Sequence, residues 1–133
     1  MEGVVYSLRD CLEIIAGMGV NVSEIRASGG GGKSRLWRQM QADVFGTGIT
    51  TINSSEGPAL GVALLAGVGT GVYKNVAEAC DTAIKVRSLQ QPNIKLYSKY
   101  SKFNSLYGQL YKSLKKNYKD LADIMTDVYE GGV

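Results

Sequence analysis

The chain has 133 residues and a mass of 14.3 kDa, which suits a single domain. Its 44% hydrophobic and 20% charged residues exclude a disordered protein, and no apolar run reaches the ~18 residues of a membrane span. Histidine is absent, which excludes Ser-His-Asp triads, Cys-His dyads and histidine-ligated metals. Cys11 and Cys80 form no CxxC motif, so we expect two free thiols in a cytoplasmic protein.

The first half of the chain predicts helix, strand, helix and strand. Apolar residues recur at steps of three and four over residues 3–18, as in an amphipathic helix. Residues 24–28 partly alternate and predict a strand that runs into a turn of four glycines at 29–32. Helical spacing returns over residues 36–45, and the β-branched run Ile49–Ile52 predicts a second strand.

The second half predicts three helices and a short strand. Residues 59–69 are rich in glycine and alanine, so this helix is expected to lie close against a neighbour. Val76–Ala83 predicts a short helix, and residues 84–89 predict a short strand. Eight apolar residues step by three or four over residues 96–121, which predicts a long amphipathic helix with several of its tyrosines buried. Residues 123–133 are expected to be a frayed tail.

The net charge of +3 is unevenly distributed. Residues 95–119 hold seven lysines and no acid, while the rest of the chain holds eight basic and twelve acidic residues. Tyrosines interleave with these lysines, as on some RNA-binding surfaces. Lysines on the polar side of an amphipathic helix are its ordinary solvated face, so we expect no nucleic-acid partner and no membrane partner.

One stretch suggests chemistry, the run GGGGKS at residues 29–34. It is not a Walker A loop, because Ala27 stands where that motif needs glycine, and it fails the dinucleotide fingerprint at Ser34. A strand, a turn without side chains and a helix N-terminus still gather unpaired N–H donors and positive potential, so a ligand can lie on the main chain. Lys33 can add a charge. A flexible turn with Ser34 as an ordinary N-cap explains the same residues equally well.

Three nearby residues have simpler interpretations. Trp37 occupies an apolar helical position and is expected in the core. Asp43 has no partner carboxylate or base nearby in sequence, so it is interpreted as a solvated helix residue. Glu56 precedes Pro58, and as a first-turn acid it would stabilise the helix that follows.

The same residues resemble a known family. The runs IRASGGGGKSRLWRQ (25–39) and ADVFG (42–46) closely resemble the adenosine-site motif of FGGY carbohydrate kinases. EGPALGVA (56–63) resembles a second signature of their C-terminal domain, and the likeness extends over residues 2–121. Within the family, GGKSRLWRQ (31–39) is most similar to xylulose kinases, with gluconate kinases as the alternative.

This resemblance implies an α/β fold of the ribonuclease H-like, actin-like ATPase class over residues 1–122, with few strands and flanking helices. It also implies ATP-dependent phosphorylation of a sugar hydroxyl, with Mg²⁺. By motif position, Gly30 and Gly31 would lie against ribose and adenine, and Gly29 would shape the turn. Ser34 would face the adenine, and Lys33 would line the pocket.

The resemblance also implies what is missing. In this family a first domain holds the sugar, a phosphate loop and the aspartate general base, and nothing in these 133 residues resembles it. We therefore expect the C-terminal portion of a sugar kinase, which binds ATP or ADP, contains no catalytic residue and has no turnover alone. The alternative is a non-catalytic α/β module that hides its sheet edges in a homo-oligomer.

Overall fold

The computed structural model describes residues 1–54 and 57–130. The predicted Ile49–Ile52 strand and Val76–Ala83 helix are confirmed with the same bounds. Glu56 lies outside the described residues, as do residues 131–133 of the predicted tail. The elements in chain order are α1 (Glu2–Gly17), β1 (Ile25–Arg26), α2 (Gly29–Lys33), α3 (Arg35–Phe45), β2 (Ile49–Ile52), α4 (Gly57–Gly69), α5 (Val76–Ala83), β3 (Val86–Gln90) and α6 (Ile94–Glu130).

The sheet has three strands in the order β1-β2-β3. β1 pairs with β2 in parallel and β2 pairs with β3 antiparallel, with an irregularity between Thr51 and Ile52. α3 lies on the crossover that a parallel pair requires. Because β1 and β2 run the same way, the loops that follow them emerge at one edge of the sheet.

The glycine quartet differs from the expected turn. It forms the short helix α2, and the break before α3 falls at Ser34, whose backbone is extended. The strand before it is correspondingly shorter than predicted, two residues instead of five. Ala27 still donates its N–H to Thr50 O at 2.8 Å, so the chain stays beside β2 for one residue beyond β1.

The core lies where α1, α3 and the first turns of α6 meet. Val5, Tyr6 and Val44 are buried there, and Tyr100 and Tyr107 pack against them. The ring of Tyr6 lies 5.6 Å from that of Tyr107 and 6.3 Å from that of Tyr100. Burial, aided by the nearby Glu2 carboxylate, raises the pKa of both Tyr6 and Tyr100. Trp37 packs on the same cluster, which confirms its predicted place in the core.

The prediction that Asp43 is a solvated helix residue is wrong. Asp43 is only 4% exposed, and its carboxylate accepts hydrogen bonds from the backbone N–H of Asn93 at 2.7 Å and the side chain of Gln39 at 2.9 Å. Asn93 in turn caps α6, because its side-chain oxygen accepts from the N–H groups of Lys95 and Leu96. Asp43 therefore connects the last turn of α3 to the start of α6.

The last helix is longer than predicted, and more of its apolar side chains are exposed to solvent. α6 continues through Gly108 and reaches Glu130, so residues 123–130 are helical; fraying of this tail in solution stays a prediction. Tyr100 and Tyr107 are partly buried as expected, whereas Tyr111 and Tyr118 are exposed. The apolar face predicted from spacing is therefore covered only in the first half of the helix.

Close packing of α4 is found at one of its glycines. A methyl group at Gly67 would lie 2.9 Å from the ring of Tyr73, whereas one at Gly61 would meet no described atom within 4 Å. Both cysteines are free thiols, as predicted. No helix in the described part of the chain is long and apolar enough to cross a bilayer.

Glu24 joins the two parallel strands through its carboxylate. Arg26 Nη2 lies 2.8 Å from one carboxylate oxygen, and the Thr50 hydroxyl donates to the other at 2.8 Å. The hydrogen bond from Arg26, followed by that from Thr50, lowers the pKa of Glu24. A carboxyl with a lowered folded-state pKa stabilises the fold above its unfolded pKa, and this contribution is lost as the pH falls through the folded pKa.

We therefore expect Arg26→Gln to raise the pKa of Glu24 and to reduce the acid-side dependence of stability on pH. An NMR titration of the Glu24 side-chain carboxyl carbon measures this directly. Arg35→Gln, at an exposed arginine in the first turn of α3, is the matched control and should leave the titration unchanged. A Glu24 pKa that is equal in the wild type and in Arg26→Gln would contradict the expectation.

Candidate functional site

A cleft of about 490 Å³ opens at the carboxyl ends of β1 and β2. Residues just after these strands form two sides, and the start of the antiparallel strand β3 forms a third. The edge beyond parallel strand ends is where α/β folds place ligands. The described lining consists of Ala27, Ser28, Gly29, Gly32, Lys33, Arg38, Thr51, Ile52, Asn53, Ser54, Arg87 and Ser88.

Glycine is required at two positions of this lining. Gly29 has a φ of 68°, a left-handed conformation that side chains disfavour, so it sets the turn from β1 into α2. At Gly32 a methyl group would lie 3.0 Å from the backbone oxygen of Ala27, which cannot easily move. The quartet thus folds tightly back over the end of β1.

The five predicted site residues divide between the cleft and its border. Gly29 and Lys33 line the cleft. Gly30 is exposed, and a methyl group there would meet no described atom within 4 Å, so its backbone is accessible. At Gly31 a methyl group would lie 3.1 Å from Nε1 of Trp37, so this glycine makes room for the indole.

Ser34 has the N-cap geometry that the alternative interpretation required. Its hydroxyl accepts a hydrogen bond from the Trp37 N–H at 3.3 Å, where α3 begins. This contact uses one of the amides that a helix start leaves unpaired.

The cleft carries a concentration of positive charge. Lys33, Arg38 and Arg87 all border it, and the described lining contains no carboxylate. Arg38 donates from Nη1 to the Gly32 oxygen at 2.5 Å, which holds the quartet in place, while its buried Nε has no partner among the described residues. These cations favour an anionic or strongly polar ligand.

Two polar anchors stiffen the sheet side of the cleft. The hydroxyls of Thr51 and Ser88 are 2.7 Å apart across β2 and β3. Asn53, just after β2, donates to Ala83 O at 2.9 Å and accepts from the Lys85 N–H at 3.0 Å, which ties it to the end of α5 and the loop before β3. Hydrogen bonds within the chain therefore hold the sheet side of the cleft.

Sequence reasoning missed Arg87 as a cleft residue. It lies in β3, more than fifty residues after the glycine quartet, and reaches the cleft because β3 pairs antiparallel with β2 at Ile52 and Val86. Its local sequence carries no signal of this role, because strand pairing alone brings it there.

The cleft holds no metal cluster that the described residues reveal. No group of three or more Cys, Asp or Glu side chains that could hold a metal ion is found in residues 1–54 and 57–130. The described lining of the cleft offers no carboxylate to Mg²⁺, and the Mg²⁺ that the resemblance implies for the complete enzyme stays a prediction.

The chain matches the sequence model of the C-terminal domain of FGGY carbohydrate kinases over residues 1–70. It is 37% identical to a xylulose kinase of Staphylococcus epidermidis over 124 residues, which are 93% of this chain and 25% of that protein. It is 33% identical to a xylulose kinase of Bacillus subtilis over 115 residues, 86% of this chain and 23% of that protein. The chain thus spans about a quarter of the length of these relatives.

Solved structures agree in fold. The gluconate kinase of Lactobacillus acidophilus superposes with a TM-score of 0.81 and 25% identity, covering 90% of this chain and 24% of that one. A ligand-bound xylulose kinase from the same organism gives 0.75 and 25%, with the same coverage. Glycerol kinase of Plasmodium falciparum with ADP gives 0.66 at 21% identity, covering 84% of this chain and 22% of that one.

The fold and the cleft define part of an α/β domain of the actin-like ATPase class, which confirms the predicted fold. The chain belongs to the FGGY family of carbohydrate kinases, within their C-terminal domain. The resemblance predicted from the glycine run is therefore confirmed.

Proposed function

We propose that this chain is the adenosine-side portion of an ATP-dependent sugar kinase whose complete form phosphorylates a pentulose, with xylulose as the first candidate. One observation carries the proposal: the glycine quartet of a kinase family lies at the carboxyl ends of two parallel strands, beside a cleft lined by three cations. The size of the cleft is within the range typical of small-molecule sites. Because the reaction uses ATP, the proposal includes a cytoplasmic location.

The exposed main chain at Gly30 supports adenosine binding. No described atom lies within 4 Å of the position that a side chain would occupy there, so a flat ligand can approach the backbone. In the proposal Gly30 and Gly31 contact ribose and adenine, Gly29 shapes the turn, and Lys33 lines the pocket with its charge. Ser34 faces the adenine while its oxygen keeps the N-cap contact.

In the proposal the parts that transfer the phosphoryl group lie outside this chain. Such transfer depends on positioning and charge neutralisation from both sides of a cleft between two domains. In the proposal the sugar and the general base belong to the other domain of the complete enzyme. We expect the 133-residue chain to phosphorylate neither a pentulose nor gluconate.

The sugar itself has two candidates. The relatives at 37% and 33% identity are named xylulose kinases, whereas the gluconate kinase structure has a higher TM-score than the ligand-bound xylulose kinase structure. In the proposal the adenosine side makes no contact with the sugar. The two candidate substrates are therefore distinguished by comparing kcat/KM for xylulose and gluconate in a complete enzyme that contains this chain.

We expect ADP to bind the chain and Gly30→Val to weaken this binding at least ~10-fold, because the added branches would occupy the space over the main chain. Isothermal calorimetry with ADP and ATP measures both. Gly17→Val is the matched control, since Gly17 is also an exposed helical glycine with no described atom within 4 Å of its methyl position. No binding at millimolar nucleotide, or equal binding by Gly30→Val, would favour the non-catalytic assembling module instead.

A further inference from the structure

The second half of α6 is a bare helix. Every residue from Gln109 to Tyr129 is exposed, although the helix continues without a break to Glu130. At 1.5 Å per residue this stretch is about 30 Å long. Because most helical stability in proteins comes from the packing of an amphipathic face rather than from intrinsic propensity, a partner for this stretch is expected.

An apolar stripe runs along this bare stretch. Its members step by four, four, three, four and three residues, the spacing of one helix face, and each is between 39% and 64% exposed. The same face carries Tyr100 and Tyr107, which pack on the core in the first half of the helix. We define the distal stripe as Leu110, Leu114, Tyr118, Leu121, Met125 and Val128.

The charges on the bare stretch are divided into two opposite halves. Lys112, Lys115, Lys116 and Lys119 come first, and three acids follow at positions 120, 123 and 127. The boundary between the halves lies between positions 119 and 120. A nucleic acid or an anionic lipid surface would attract the basic half and repel the acidic half. A partner with the reverse order of charges fits both halves.

We propose that the distal stripe pairs antiparallel with that of a second copy of this chain, about a two-fold axis between positions 119 and 120. This arrangement places Leu114 of one copy opposite Met125 of the other, and Tyr118 opposite Leu121. It also lays each basic half beside the partner's acidic half, whereas a parallel pair would align like charges. Isologous pairing of this kind is the commonest form of a homodimer.

The two kinds of contact have different roles. The apolar side chains supply the affinity, because they are the groups removed from water. Most of the charged residues lie on the sides of the helix away from the stripe, so their attraction acts over a distance comparable to the ~10 Å Debye length and selects the orientation. Neither role requires a nucleotide, so the pairing holds or fails independently of the proposed kinase function.

The first test is the oligomeric state of the full chain, by sedimentation velocity over a hundredfold range of concentration. We expect a reversible dimer. Leu121→Asp should raise its dissociation constant at least ~100-fold, because the dimer contains the substitution in both copies. Leu121 is 56% exposed within one copy, so the variant retains its fold, which circular dichroism checks. Ile14→Asp, at a 64% exposed isoleucine of α1, is the control and should dimerise like the wild type.

The second test is the orientation of the pair, by disulfide trapping in a background with Cys11 and Cys80 replaced by serine. A mixture of Leu114→Cys and Met125→Cys chains should cross-link preferentially to each other. Cross-linking of Leu114→Cys to itself would show a parallel pair and overturn the proposal. A chain that remains monomeric at every concentration, or a Leu121→Asp dimer as tight as the wild type, would overturn it too.

Discussion

Replacing Gly46 by alanine is expected to destabilise the fold by about 2–4 kcal/mol. Gly46 ends α3 in the left-handed conformation, with a φ of 71°, and donates its N–H to Ala42 O at 2.9 Å. A methyl group there would lie 2.6 Å and 2.7 Å from two ring carbons of Tyr97. Both the backbone conformation and the contact therefore exclude a side chain.

The ring of Tyr97 cannot move away without breaking other contacts. The Arg9 guanidinium lies over it, 5.2 Å from its centre, and donates hydrogen bonds to Val44 O and the Ser101 hydroxyl, both at 3.0 Å. A shift of the ring would disturb the junction of α1, α3 and α6. The steric cost at Gly46 is therefore relieved only by moving packed helices.

Urea unfolding of the wild type and two variants measures the effect. Gly71→Ala is the matched control, because Gly71 also has a positive φ of 80° but no described atom within 4 Å of its methyl position. It should lose only about 1 kcal/mol from backbone strain. Equal losses at the two glycines would mean that Tyr97 gives way and that its contact contributes nothing.

Asp43→Ala is expected to cost about 2–3 kcal/mol, because it removes a buried charged acceptor and leaves donors unpaired. The Asn93 N–H and the Gln39 amide would both lose their bond to the carboxylate. Gln39 also donates to Gln91 O at 2.9 Å, so the segment before α6 would lose part of its attachment to α3. The first turn of α6 should become more open to amide exchange.

Two variants separate the causes of this loss. Asp43→Asn keeps one acceptor oxygen and should recover part of the stability, while Asp81→Ala, at an exposed aspartate of α5, should stay within about 0.5 kcal/mol of the wild type. Thermal unfolding with hydrogen exchange at residues 93–97 measures both. An Asp43→Ala protein as stable as Asp81→Ala would show that α6 is held at its start by other contacts.

Most elements of this chain follow from local patterns. Three-and-four spacing predicted α1 and α3, and the β-branched run predicted β2, because periodicity and branching act within a few residues. The end of α3 was predicted for the same reason, because the helical spacing stops at residue 45. The prediction for the glycine quartet was wrong in detail. Four glycines favour a turn by propensity, yet they form a helical turn, and Arg38 donates a hydrogen bond to its Gly32 oxygen.

The sequence by itself determined the family, most of the elements and the position of the glycine quartet, since these depend on neighbours along the chain. Only the tertiary structure decided the burial of Asp43, the presence of Arg87 in the cleft and the point at which α6 leaves the core. The burial of Asp43 depends on Asn93, fifty residues away, and the position of Arg87 depends on the pairing of β2 with β3. The covered length of α6 depends on how far α1 and α3 pack along it, and no local pattern encodes this.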